Sequence, residues 1–450
     1  MVNLLTSQVK SDSKSFYAYV RSKSKSKIGV STLIDSNGST TDSPEEICEL
    51  FNTYFATVFT AENVESIPDP ETTFKFGVEQ RLVDLTITSS KVEKLLDKLR
   101  IDKAIGADDM SPRFLYYIKP GIVQPLTIIF NQTIADGLVP DDWRKAYVSP
   151  IFKKGCRGMA ENYRPISLTS QVCRLFETLM RDEIVRHLED KCLLFDSQHG
   201  FRRGRSCLSN LLTFMDKATE SIDAGENFDV AFLDFAKAFD KVPHKRLMKK
   251  LKCHGIDGKV LDWIENWLSG RQQRVCLDGA RSQWRSVTSG VPQGSVLGPI
   301  VFLVYVNDID VGIINLLLKF ADDIKVLGKV QTLDEADAFQ NDIRNIEQWS
   351  NKWLMPLQIN KCKVMHLGKH NLEDGYAISS HILESTGKEK DLGVMLTDDL
   401  KPSYQCVQAY KKANKMLGII NRTISYRNSE LLVKLYKSLV RPHVEYCTVA

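Results

Sequence analysis

With 450 residues, 43% of them hydrophobic and 26% charged, the chain has the composition of an ordinary soluble globular protein and length enough for two or three lobes. Its longest apolar run, VLGPIVFLVYV at Val296–Val306, falls well short of the roughly 20 residues a membrane-spanning helix needs, which excludes that class. A net charge of +4 permits an anionic partner without arguing for one; ten single cysteines, no CxxC pair and no signal peptide point to a reducing, intracellular setting.

In chain order, the Lys/Ser-rich stretch KSDSKSFYAYVRSKSKSKIG at Lys10–Gly29 reads as a solvated linker with incidental affinity for nucleic acid. In TDSPEEICELFNTYFATVF, Ser43 precedes Pro44, two glutamates and the stripe Ile47, Leu50, Phe51, Tyr54 and Phe55, the pattern of a capped amphipathic helix. SSKVEKLLDKLR at Ser89–Arg100 repeats that pattern, and further short helices are expected within Pro112–Gly137. AYVSPIFKKG reads as a strand entering a basic turn, and a helix is expected over Leu175–Glu189. From Asn227 onward the signals alternate: a strand FDVAFLDF, helices through KRLMKKLKCHG and GKVLDWIENWL, and a hairpin in RVCLDGARSQWRSV turning at Asp278-Gly279. A Gly-rich loop, the apolar helix and a strand at KFADDIKV follow. No repeat of fixed period is present, and this mixed order indicates an α+β fold.

KFADDIKV sets Asp322 and Asp323 side by side in an apolar run, where charge is costly unless compensated. They are either an ordinary turn between strands or the seat of something doubly positive. FDVAFLDF ends its apolar run on a third acid, Asp234. If the two strands lie side by side, three carboxylates meet, and they repel unless neutralised. Oxygen-only ligands select a hard cation such as Mg²⁺, and two such ions about 4 Å apart form the usual clamp for in-line phosphoryl transfer. Between the acids, SGVPQGSVLGP carries Gly290, Gly294 and Gly298, which free the backbone for close approach to a ligand, with a helix N-terminus behind them. CKVMHLGKH places Cys362 near His366 and His370, but without a second cysteine and in a strand-like pattern these read as strand residues, not a zinc site.

Taken in order, AFLDFAKAFDKVPH, SGVPQGSVLGPIVFLVYVNDI and KFADDIKV resemble the A, B and C motifs of reverse transcriptases. The wider chain resembles those of non-LTR (LINE-type) retrotransposons of the jockey and chicken-repeat kind. PIFKKG, ENYRPISLTS and QHGFRRGRSC resemble the family's fingers segments; LQINKCKVMHLG and KEKDLGVMLTDDL resemble its lysine-bearing palm motif and primer-grip hairpin.

The resemblance implies an RNA-directed DNA polymerase with a right-hand fold. Its parts would be an N-terminal helical extension or linker over 1–85, fingers and palm over 86–370, and the primer grip with a partial helical thumb over 371–450. Asp234 and Asp322 would bind two Mg²⁺ ions, for which Mn²⁺ can substitute, with Asp323 supporting them. Lys153 or Lys154 and Arg164 would reach the triphosphate, Gln293 and Gly294 would line the nucleotide and template pocket, and Lys363, two residues from Lys361, would protonate the leaving pyrophosphate. Phe239, five residues after Asp234 and beside Asp240, would lie under the sugar and exclude a 2′-hydroxyl. Implied partners are an RNA template, a DNA primer or target and dNTPs, with no membrane, acting in the nucleus or in a cytoplasmic ribonucleoprotein. Nothing here resembles the family's upstream endonuclease, and the chain stops at LVRPHVEYCTVA inside a segment the family continues, so a fragment is expected. The competing expectation is a catalytically inactive, retrotransposon-derived nucleic-acid-binding fragment; an RNA-dependent RNA polymerase is disfavoured by Phe239 and FADD.

Overall fold

The structure, a computed structural model, describes residues 30, 32–35, 37–70, 81–424 and 428–449; the linker expected at Lys10–Gly29 lies outside them. Two five-stranded sheets, with helices packed on their faces, organise these residues into an α+β architecture. Among them no helix is long and apolar enough to cross a membrane.

The central sheet has the strand order Glu384–Ser385, Lys363–Leu367, Phe228–Asp234, Asp323–Lys329, Leu316–Phe320. FDVAFLD forms the middle strand because it is apolar on both faces. Ala231 and Leu233 enter the main core with Ile324, Val326 and Val364. Phe228 and Val230 face the other way, joining Leu327, Met365 and Leu367 in a second core. The helix Cys207–Asp223 and the hairpin of Lys388–Asp391 with Val394–Thr397 close that second face through Leu211, Phe214, Val394 and Leu396. On the main-core face lie the helices His244–Cys253, Gly298–Tyr305 and Leu333–Lys352.

The other sheet runs Tyr163–Thr169, Lys145–Phe152, Gln272–Leu277, Ala280–Arg281, with Arg285–Ser286 also on Gln272–Leu277. Its hairpin turns at Asp278-Gly279 as expected: Leu277 pairs with Ala280, and both turn residues have positive φ, 48° and 91°. The helix Pro44–Thr57 starts where the capping pattern put it, with the Ser43 side chain accepting from the Glu46 N–H. Its Ile47, Phe51 and Phe55 pack against Val148, Tyr163 and Val275 of that sheet. The helix expected over Leu175–Glu189 begins earlier, at Gln171, because Ser170 Oγ caps the Cys173 N–H at 3.1 Å.

Candidate active site

Antiparallel pairing sets Asp323 directly opposite Asp234. Asp322 occupies the two-residue turn that joins Phe320 to Asp323, which are themselves paired. The three acids foreseen as a cluster are thus brought to one end of the sheet by register alone. Like charges directly opposite across a strand pair destabilise it, so the packing around them must hold this arrangement.

Much of that support comes from the segment Ser197–Gly200. Ala321 adopts φ +57°, uncommon for a residue with a Cβ, and its N–H donates to Gln198 Oε1 at 3.0 Å. The same oxygen accepts from the Gly200 N–H at 2.8 Å, while Lys319 exchanges backbone bonds with Ser197 and His199. A Cβ on Gly200 would lie 2.6 Å from the Ala321 nitrogen, so only glycine lets this strip approach the turn. Gln198 was not foreseen as a site residue. Its signal was its place in QHGFRRGRSC, a segment recognised without a role for each residue.

The acids open into a cavity of about 520 Å³ whose lining is otherwise rich in cations: Lys153, Lys154, Arg164 and Lys237, with Lys361 against Asp234 itself. Each set crowds its own charge. Loss of solvation in the cleft, then Asp322, Asp234 and Asp391, push Asp323 up to about 6, although part of its side chain reaches water. Asp322 is raised too, first by desolvation and then by Asp234. Lys153 is lowered, first by desolvation and then by Arg164 and Lys361, and Lys237 is lowered chiefly by its burial. Such a cleft is relieved by a cation among the acids and a polyanion among the basic groups.

Gln293 and Gly294 line the cavity, and so does Phe239, whose ring stacks on Phe302 at 4.4 Å and 14°. Phe239 therefore has one face toward the cleft and one on the core. Asp240 also lines the cavity; its two oxygens each accept from Gln293 Nε2 at 3.1 Å, and burial raises it to about 6. Two of the glycines of SGVPQGSVLGP also make close approaches within the protein. A Cβ on Gly290 would meet the Asp240 carbonyl oxygen at 2.6 Å, and one on Gly294 the Ser167 carbonyl oxygen at 2.5 Å. Their close approach is to protein backbone, seating the loop on Phe239-Asp240 and on the strand Tyr163–Thr169.

The two neighbouring lysines, of which Lys363 was the expected proton donor, are held by different acids. Lys361 Nζ meets Asp234 Oδ2 at 2.7 Å in the main cavity. Lys363 pairs with Phe232 in the sheet and points to Glu389 at 3.4 Å and Glu384 at 3.8 Å, lining a neighbouring cavity of about 350 Å³. The difference is a matter of register: Lys361 lies in a short 3₁₀ turn before the strand, Lys363 within it. His366 is a strand residue bonded to the buried Asp229 at 2.9 Å, as the strand reading of CKVMHLGKH required.

Among the described residues no group of three or more His, Cys, Asp or Glu side chains is gathered into a ready-made metal cage. The site nevertheless suits Mg²⁺, which binds through one or two carboxylates and completes its shell with water and substrate phosphates. Asp234 and Asp323, held opposite each other, offer that donor set, and Asp322 and Asp323 are both held above the usual carboxylate range, first by desolvation and then by the neighbouring acids.

Comparison with known proteins shows which family the sequence falls in. The chain is 29% identical over 375 residues to the RNA-directed DNA polymerase from mobile element jockey of Drosophila funebris, covering 80% of this chain and 41% of that protein. It is 26% identical over 428 residues to the probable RNA-directed DNA polymerase from transposon X-element of Drosophila melanogaster, covering 92% and 47%. For the probable RNA-directed DNA polymerase from transposon BS of Drosophila melanogaster the figures are 25% over 391 residues, 82% and 42%. The chain thus spans a little under half the length of these curated relatives. The profile of the family described as reverse transcriptase (RNA-dependent DNA polymerase) matches residues 151–420, more than half of the chain, and spans the acidic turn, the cations of the cavity and the glycine loop. The chain belongs to the reverse transcriptase family.

Proposed function

We propose that the chain is the polymerising part of a non-LTR retrotransposon reverse transcriptase, which copies RNA into DNA by extending a primer 3′-OH with dNTPs. The observation that carries this reading is Asp323 opposite Asp234, with Asp322 at the turn, in one cavity with Lys153, Lys154 and Arg164. Residues 86–370 then serve as fingers and palm, and 371–450 as primer grip and thumb.

Reverse transcriptase domains use divalent metals, generally Mg²⁺. Here Asp234, Asp322 and Asp323 would hold two ions, which when bound supply Lewis-acid stabilisation to the attacking and leaving oxygens of an in-line displacement. The remaining work falls to the protein's own groups. Arg164 offers the triphosphate a planar fork and Lys153 and Lys154 offer point charges, so the substrate is oriented before reaction. Gln293, tethered to Asp240, and Gly294 form the wall against which nucleotide and template pair. The Phe239 ring lies beneath the sugar and is backed by Phe302. Lys361, beside Asp234, is placed to supply a proton to the departing pyrophosphate. The test is extension of oligo(dT) on poly(rA) by the purified chain with dTTP. The reading requires product that depends on Mg²⁺ and vanishes with chelator, and absence of product under all divalent conditions would overturn it.

A further inference from the structure

The helix Gly298–Tyr305 follows directly on the glycine loop, and every residue in it but Pro299 is buried. It has no charged side chain of its own, yet buried charges from three other elements stand at its two ends. At its start, Glu177 from the helix Gln171–Asp190 is wholly buried, and its Oε2 accepts from the Val296 N–H at 2.6 Å and the Leu297 N–H at 3.2 Å. At its end, Lys250 Nζ donates to the Tyr305 carbonyl oxygen at 2.6 Å, and Lys319 Nζ donates to those of Val306 and Asn307 at 3.3 and 3.1 Å. Both lysines are buried and also paired, with Asp308 and Asp310 respectively. The signs complement the helix dipole, acid at the N-terminus and cations at the C-terminus. The anion-binding role foreseen for this N-terminus is thereby already taken, by a side chain of the protein.

Two parts of the candidate nucleotide pocket rest on this helix. Gln293 precedes Val296 by three residues and reaches Asp240; Phe302, one turn into the helix, carries the Phe239 ring. We propose that Glu177 is a positioning residue for the incoming nucleotide: by anchoring the Val296 and Leu297 amides it sets where Gln293 and Phe239 stand in the cleft. This rests on the polymerase reading. A buried carboxylate is costly without partners; besides the two amides on Oε2, Glu177 Oε1 accepts from Cys173 Sγ at 3.3 Å, and the buried Arg271 is an electrostatic counterpart. A neutral cap such as Ser295, which already serves the Gly298 N–H at 3.0 Å, would close the same turn with less force.

The test compares wild type, Glu177→Gln and Lys250→Met in the full chain, well below their melting temperatures. The readouts are the equilibrium Kd for dTTP on the protein–poly(rA)/oligo(dT) complex with a 3′-dideoxy-terminated primer, which cannot be extended, and hydrogen exchange of the Val296 and Leu297 amides. Glu177→Gln should weaken dTTP about tenfold, the loss of one charge-assisted bond, and speed exchange at both amides, with the template–primer Kd unchanged. Lys250→Met, at the far end, should lower the melting temperature and leave the dTTP Kd in place. Glu177→Asp, which keeps the charge and shortens the reach, should fall between and replaces the amide variant if that does not fold. An unchanged dTTP Kd in the Glu177 variants with a lowered melting temperature would overturn the proposal and leave Glu177 a helix cap. A wild-type chain that binds dTTP but does not extend a primer with a free 3′-OH would count against the polymerase reading alone; one that does not bind dTTP would overturn both.

Discussion

Lys361 Nζ holds Asp234 Oδ2 at 2.7 Å, on the carboxylate that stands directly opposite Asp323. The lysine neutralises one of the three clustered acids and shares the main cavity with all three, whereas Lys363, engaged by Glu389 and Glu384, lines a neighbouring cavity that Asp234 and Asp323 also line. If Lys361 is the proton donor, Lys361→Ala should lower kcat by about 10²-fold or more, the usual scale for a positioned general acid, with little change in the dNTP KM. Lys363→Ala should leave kcat within a few-fold. Single-nucleotide extension rates of the two variants decide between them; equal losses would mean neither is specific.

Asp323 is raised to about 6 and Asp322 is raised with it, so in the metal-free protein both hold their protons more tightly folded than unfolded. Their contribution to stability is therefore full below the ordinary carboxylate range and is lost as pH rises, for Asp323 through about 6 and for Asp322 in the same direction. Above that pH the acids are ionised and repel, and a divalent ion that binds them should restore what was lost. Millimolar Mg²⁺ should thus raise the melting temperature at about pH 7.5 and have little effect at about pH 5, against an equal ionic strength of NaCl. The same increment at both pH values would separate the shift from metal binding.

Phe239 touches both the cleft and Phe302. Phe239→Val should admit ribonucleotides, relaxing the deoxy-to-ribo ratio of kcat/KM on the order of 10²- to 10³-fold, with about 1.4 kcal/mol for each decade. Losing the stacked face should also cost about 1–3 kcal/mol of stability, less than a fully buried Phe because one face is open. Side-by-side incorporation of dTTP and UTP with a melting curve checks both halves. A lower melting temperature with an unchanged ratio would make the residue purely a packing element.

Lys325 lies two residues past Asp323 on the same strand face and is ion-paired to Asp391 of the Lys388–Asp391/Val394–Thr397 hairpin; they are 4% and 7% exposed. Burial lowers the Lys325 ammonium, which the Asp391 charge opposes. Removing one partner leaves the other buried and unpaired, so Lys325→Met or Asp391→Asn alone should cost about 3–5 kcal/mol. Lys325→Met combined with Asp391→Leu should cost clearly less than the sum of two such losses. Chemical denaturation of the single and double variants measures the coupling, and additive losses would show that the pair does not act as a unit.

What could be read from the sequence was what local chemistry determines. Asp278-Gly279 demanded a turn with two positive φ angles, Ser43-Pro44 demanded a helix start, and three acids at the ends of apolar runs demanded a common partner. What could not be read depends on which distant group arrives. Gln198 reaches Ala321 across the fold, and Glu177 reaches Val296 from another helix. The glycines of SGVPQGSVLGP announce close approach, but that Gly290 lies against the Asp240 carbonyl and Gly294 against that of Ser167 depends on segments far away in the chain. Lys361 and Lys363 differ by two positions, and only the strand boundary separates them.

The most direct test of the account replaces Asp322 alone. Asp322→Asn keeps the size and the turn but removes one charge from the cluster that the cavity is built around. Primer extension on an RNA template should fall on the order of 10³-fold or more, as expected when several kcal/mol of metal-borne stabilisation is lost. Binding of the template–primer, carried by cations elsewhere, should keep its Kd and its salt dependence. Undiminished Mg²⁺-dependent extension by Asp322→Asn would contradict the assignment of the catalytic centre.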